Sequence, residues 1–341
     1  MATQSNIEWT DCTWNPVIGC RHVAEGCRHC YAETMSKRLA AMGQRDYASI
    51  LTKDGTFNGK AITRPATLAE PLHWKKPRMV FVNSMSDLFH EDVPFEFIAA
   101  VFGVMAACPQ HTFQVLTKRP ERALEFFEWI KTAPISEPFE RGGKQFGVPR
   151  ELTVCSMQLE AEAETDADRA SFGSIYEMAG AVVAINKPAW PLKNVWLGVS
   201  AAAQLDADKL VPIVLKCPAA VRFVSAEPLI REVFLQQNWI NALLCQACGT
   251  KALDWVIVGG ESGPGARPCD VAWIRSIVEQ CKAAGVPVFV KQLGSNSQEQ
   301  FGGSGALRPR LKSRNIKGGD PDEWPEDLRV REWPTTEKAS A

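Results

Sequence analysis

The chain has 341 residues, 45% of them hydrophobic and 23% charged, a balance that can bury the core of one large domain or two average ones. Its formal net charge of −1 excludes a global positive field for nucleic acid and a solvating acidic excess, so partners must be read from local clusters. The first residues lack the basic stretch and apolar run of a signal peptide, and no window approaches the ~20 apolar residues of a membrane span, so a cytoplasmic location without membrane association is expected.

The first feature along the chain is chemical. The stretch GCRHVAEGCRHCYAE (19–33) brings Cys20, Cys27 and Cys30 together with the spacing C-x6-C-x2-C. The chain holds 11 cysteines, but a reducing compartment and a core of this size argue against a disulfide framework. Cys12, Cys108, Cys155, Cys217 and Cys281 stand alone and read as small hydrophobic residues. The loop trio admits three readings. A structural zinc site wants four ligands, which His22 or His29 would complete. Three thiolates also suit an iron–sulfur cluster that leaves one iron open to a substrate or cofactor. The third reading is a set of unliganded thiols. Gly19 and Gly26, each one residue before a cysteine, would let the backbone wrap closely around a bound group.

A strand is expected before Cys20, and six further apolar runs follow: MVFVN (79–83), TFQVL (112–116), VWLGV (195–199), VRFV (221–224), DWVIVGG (254–260) and VPVFVKQ (286–292). They are rich in β-branched and aromatic residues without clean alternation, which reads as strands buried on both faces. Helical patterns lie between them. Pro94 opens one with Phe97, Val101 and Met105 on one face, and Pro120 occupies a first-turn position in the next. Asp270 is placed to cap a helix that buries Val271, Ile274, Val278 and Cys281 and that Gly285 ends. Such strand–helix alternation predicts an α/β fold with a parallel sheet. The pattern alone leaves barrel and open sheet both open, but six such units, with no glycine-rich turn after the first strand, suit a full or partial (β/α) barrel better than a nucleotide-binding open sheet.

Polar residues cluster just past the strands, where either architecture builds its active site. NSMSD supplies Asn83, Ser84, Ser86 and Asp87, with helix capping as the alternative role. TKRP supplies Lys118 and Arg119, cations suited to a carboxylate or phosphate. Ser200 follows LGV, and Glu227 in SAEP and Glu261 in GGES are carboxylates placed for catalysis. Lys291 ends the last strand. GGESGPG (259–265) lacks the residues of a P-loop, so Gly259 and Gly260 read as points of close backbone approach to a ligand.

The expected organisation is one domain over 1–294 with insertions at about 131–193 and 235–253, then a polar tail over 295–341. The first insertion would lie on the sheet and can serve as a lid. The second holds CQAC, whose Cys245 and Cys248 form half of a zinc ribbon. The tail is expected to be loose or draped over the core, and its Arg308, Arg310, Lys312, Arg314 and Lys317 suit phosphates of a nucleic acid or a solvated segment.

The stretch IEWTDCTWNPVIGCRHVAEGCRHCYAE, with LTKRPER, VWLGVS, VRFVSAEPL and LDWVIVGGESGPGARP, resembles the phage gene-product thirty-seven/sixty-eight family, whose function is unknown and which is similar to radical S-adenosylmethionine (SAM) proteins. The match spans most of residues 7 to 294, although the cysteine spacing departs from the C-x3-C-x2-C loop of most radical enzymes. The resemblance implies a [4Fe-4S] cluster on Cys20, Cys27 and Cys30, SAM bound to its open iron, and an external electron donor that triggers release of a 5′-deoxyadenosyl radical. It also implies that Tyr31 lies against the adenine, Ser84, Ser86 and Asp87 at the SAM amino group, Ser200 at the ribose and Gly259 and Gly260 beside SAM. Lys118, Glu227 and Glu261 would then face a substrate, with nucleic acid or a nucleotide as the class the phage association suggests. A noncatalytic iron–sulfur or zinc-binding partner protein and a zinc-dependent hydrolase are the competing readings.

Overall fold

Trp255–Gly259, five buried residues in a row, has no side chain that must turn toward water, as expected of a strand covered on both faces. The computed structural model describes residues 3–5, 7–135, 148–165, 183, 188–241, 252–299 and 314–335. The chain divides into two compact units. The first comprises Met1–Val23, Cys30–Leu197 and Cys217–Ala220, and the second Ala24–His29, Gly198–Lys216 and Val221–Ala341. The expected boundary at 294 falls inside the second unit.

In the first unit, β1 (Thr3–Gln4) pairs antiparallel with β2 (Cys12–Trp14), the strand expected before Cys20. The short strands β3 (Val17–Ile18) and β4 (Ile62–Thr63) pair antiparallel apart from the main sheet. β2 lies parallel to β5 (Met79–Val82), and β5 parallel to β6 (Thr112–Thr117). β7 (Val195–Ser200) comes next in the order, its first three residues counted in this unit. The helices are α1 (Tyr31–Ala41), α2 (Arg45–Ser49), α3 (Phe95–Ala107), α4 (Pro120–Thr132) and α5 (Arg150–Thr165).

Helix α3 departs from the expectation of one apolar face, since every residue from Phe97 to Ala107 is buried. The cause is α5, which covers the side of α3 turned away from the sheet. A Cβ at Gly103 would stand 2.7 Å from the Cys155 carbonyl oxygen, so glycine lets the two helices approach. The described part of the first expected insertion is therefore a packed layer, with Leu152, Cys155 and Leu159 buried.

In the second unit the strand order is β7, β8 (Val221–Ala226), β9 (Trp255–Gly259) and β11 (Val288–Gln292), with β8, β9 and β11 mutually parallel. β10 (Cys269–Asp270) and β12 (Ser297–Gln298) form a separate parallel pair. The helices are α6 (Gln204–Val214), α7 (Gln237–Ile240) and α8 (Val271–Ala284). Asp270 caps α8 by accepting from the Ala272 amide at 2.9 Å, and Gly285 ends the helix in the left-handed region at φ 67°, both as the sequence predicts.

Residues 314–335 drape over this unit. The Val290 amide donates to the Val330 carbonyl at 2.9 Å and the Glu332 amide to the Val288 carbonyl at 3.0 Å, so the segment pairs along β11. Trp324 and Leu328 are buried, and the Arg331 guanidinium lies over the rings of Phe289 and Trp324. Among the described residues no helix is long and apolar enough to cross a membrane.

Candidate functional site

The three cysteines are divided between the units, Cys20 and Cys30 in the first and Cys27 in the second. In the first unit Cys20 follows β3 through Gly19, whose φ is +84° and whose Cβ, if present, would meet the Lys60 carbonyl oxygen at 2.3 Å. Only glycine fits there. The turn after β5 fixes this approach: the Gly19 amide donates to the Met85 carbonyl at 3.1 Å and Ser86 Oγ to the Val17 carbonyl at 2.8 Å. Ser84 Oγ donates to Asn15 Oδ1 at 3.1 Å, and Asn83, itself in the left-handed region at φ 61°, accepts the Val17 amide on Oδ1 at 3.2 Å. Ser84 and Ser86, assigned by sequence to a cofactor, thus brace the strand that leads to Cys20.

Asp87 is buried and accepts four hydrogen bonds. Its Oδ1 takes Thr117 Oγ1 at 2.7 Å and the Phe89 amide at 3.0 Å, and its Oδ2 takes the Lys118 amide at 3.0 Å and Arg119 Nη1 at 3.1 Å. The same Arg119 nitrogen lies 3.6 Å from Cys20 Sγ. Burial, helped by the Asp87 charge, pushes the Cys20 thiol up to about 12, against the opposing pull of Arg119. Cys30 precedes α1 and packs against a cluster of Ile18, Ala32, Tyr47, Ile50 and Met85. Tyr31, the next residue, keeps 61% of its surface exposed, so its ring is open to a planar partner.

In the second unit Cys27 closes a 3-10 turn, Glu25–Cys27. His29 Nδ1 lies 3.1 Å from Glu261 Oε2, and Glu261 is gripped by Arg267 through Nη2 on Oε1 at 2.5 Å and through Nε and the main-chain amide on Oε2 at 3.0 and 2.8 Å. Arg267 Nη1 also donates to the Glu25 carbonyl at 3.0 Å, so one arginine ties the Cys27 turn to the end of β9. Burial alone would push the Glu261 carboxyl up, but the Arg267 and His29 hydrogen bonds outweigh it and hold the group below the usual carboxylate range.

Glu227, past β8, accepts Lys291 Nζ at 2.5 Å and Gln292 Nε2 at 2.7 Å on the same oxygen, and Ser200 Oγ donates to the Glu227 carbonyl at 3.1 Å. Glu227, Lys291 and Ser200 therefore share one network, as their strand-end positions suggest. At Gly260 the close approach is made by the chain itself, since a Cβ there would stand 2.2 Å from the Leu293 carbonyl oxygen; at Gly259 it would meet the Gln292 carbonyl oxygen at 3.1 Å. Lys118 enters the first unit's network through its main-chain amide.

Accessibility separates the cysteines. Cys20, Cys27 and Cys30 are partly exposed, whereas the other described cysteines, Cys12, Cys108, Cys155, Cys217, Cys269 and Cys281, are buried. Among the described residues no group of three or more His, Cys, Asp and Glu side chains stands in metal-holding geometry. Cys245 and Cys248, the run 166–182 and Arg308, Arg310 and Lys312 lie outside the described residues. Sequence reasoning missed Arg267, whose signal was its place in the same glycine-rich loop as Glu261, and left Glu91 and Glu25 unremarked.

Residues 4–325 match a family described as "Protein of unknown function (DUF5131)", and the chain belongs to that family. No curated protein and no solved structure matches it.

Proposed function

We propose that this member of the DUF5131 family is an iron–sulfur, SAM-dependent radical enzyme on a full or partial (β/α) barrel, with Cys20, Cys27 and Cys30 holding a [4Fe-4S] cluster. The observation that carries this reading is that the three closely spaced thiols are the accessible ones, while the other described cysteines are buried in the core. Two features around Cys20 suit a ligand sulfur: a glycine that only a tight loop requires precedes it, and a buried guanidinium donates to its sulfur. When bound, the cluster and SAM supply one-electron cleavage of SAM to a carbon radical. The chain's own part is to bind and orient. Tyr31 offers an exposed ring for the adenine, the Glu227–Lys291 pair offers a polar contact past β8, and the Arg267–Glu261 clamp holds the Cys27 turn. Nucleic acid or a nucleotide is the substrate class to assay first, and an external one-electron donor is required.

One observation favours a second reading, a zinc site completed by His29. A metal-ligating histidine typically gives its other ring nitrogen to a carboxylate, as His29 Nδ1 does with Glu261. Anaerobic reconstitution with iron and sulfide, followed by electron paramagnetic resonance (EPR) with and without SAM and a 5′-deoxyadenosine assay, tests both. A brown protein whose reduced signal shifts on adding SAM, with deoxyadenosine formed, supports the radical enzyme. A colourless protein that takes up zinc and rejects iron supports the second reading, and a cluster indifferent to SAM leaves a noncatalytic iron–sulfur protein.

A further inference from the structure

Arg119 reads in the sequence as a cation available to a substrate anion, but in the first unit its donors are already engaged. Its side chain is only 9% exposed. Nε donates to Glu91 Oε2 at 3.2 Å, Nη2 to the Arg21 carbonyl at 3.2 Å, and Nη1 to Asp87 Oδ2 at 3.1 Å and Cys20 Sγ at 3.6 Å. Asp87 is in turn fixed by Thr117 and two main-chain amides. A planar guanidinium gripped on three sides cannot swing out to a ligand without leaving Asp87 buried and unpaired. The group it can serve without moving is the Cys20 sulfur.

We propose that Arg119 is a positioning residue that hydrogen-bonds the Cys20 sulfur and thereby sets the reduction potential of the metal group held there. The inference rests on the iron–sulfur reading of the loop. Reduction adds one electron from the external donor and breaks no bond, so the cluster becomes one unit more negative. A fixed cation and an N–H···S hydrogen bond on one ligand sulfur stabilise that reduced form over the oxidised one. Asp87 and Glu91 hold the cation in place, which explains why a carboxylate past β5 is buried here rather than open to solvent.

The test is an EPR-monitored redox titration of the anaerobically reconstituted full chain, comparing the wild type with Arg119→Lys and Arg119→Gln. At a fixed ambient potential the reduced-to-oxidised ratio should fall roughly tenfold in Arg119→Gln, the size expected for loss of one charge-assisted hydrogen bond. Arg119→Lys, which keeps the charge but loses the fork, should fall between. A merely structural role would not grade the potential by charge. A midpoint in Arg119→Gln equal to that of the wild type overturns the inference. Should Arg119→Gln fail to retain iron, the comparison of Arg119→Lys with the wild type decides, and an unmoved midpoint again overturns it. Iron uptake is read separately, so a wild-type chain that binds no iron rejects the cluster reading and the inference together, an outcome distinct from an unmoved midpoint.

Discussion

Arg267 grips Glu261 with three nitrogens while His29 approaches the same carboxylate at 3.1 Å, which makes Glu261 the centre of a clamp rather than a free carboxylate. Glu261→Gln should therefore cost about 3 kcal/mol, because it leaves a mostly buried guanidinium without its counter-ion. Urea unfolding monitored by circular dichroism measures it. A loss under about 0.5 kcal/mol, the scale of an ordinary surface substitution, would count against the clamp.

The same carboxylate gives a pH dependence. Its folded-state pKa is depressed, so the stability it contributes is fully present above the unfolded value of about 4.3 and is lost as pH falls through the folded value. The stability gap between the wild type and Glu261→Gln should be constant at neutral pH and narrow below about pH 4.3. A gap that widens on acidification contradicts the assignment.

Asp87→Ala should destabilise by about 3–5 kcal/mol, since it removes the partner of buried Arg119 and orphans two amides and a hydroxyl. Thermal unfolding of the metal-free variant reads this without reference to any cofactor.

Thiol labelling of the metal-free, reduced protein should modify Cys20, Cys27 and Cys30 well before Cys12, Cys108, Cys155, Cys217, Cys269 and Cys281. Cys20 should be the slowest of the three near neutral pH, because its thiol is pushed up to about 12 and only the thiolate reacts. Peptide mass spectrometry after timed alkylation gives the order. Early modification of a buried cysteine would show that its element opens locally.

Gly103→Val should cost about 1–3 kcal/mol through overpacking, because the new side chain meets the main chain of α5 at Cys155. Chemical unfolding checks it, and a neutral result would mean that α5 yields easily.

What the sequence revealed follows the range over which each feature is encoded. Asp270 and Gly285 bound α8 through contacts within a few residues, so both ends were legible. The central strands were legible because burial on two faces leaves a mostly apolar run, unbroken in β9 and interrupted in β8 only by the buried Arg222 and Ser225. β1, β3 and β4 have two residues each, too few to carry a period. The one-sided face expected for α3 was wrong in extent because its outer cover, α5, comes from a segment some fifty residues away whose pattern gave no register. For Glu227 and Glu261 the strand-end position was readable, but not their partners Lys291 and Arg267, which depend on where other loops fold. Arg119 shows the limit most clearly: its charge was visible, yet its role is set by Asp87, thirty-two positions away in sequence.

The pairing of Val330 and Glu332 with β11 also bears on solubility. A parallel strand at the rim of a sheet presents a row of open amides and carbonyls that invites a second molecule to add on. Here the chain's own last described residues occupy that row, and the Trp324 and Arg331 side chains fasten them. A shortened version ending before residue 314 would uncover β11 and Phe289 together, and it would be expected to self-associate through that ladder at concentrations where the full chain does not.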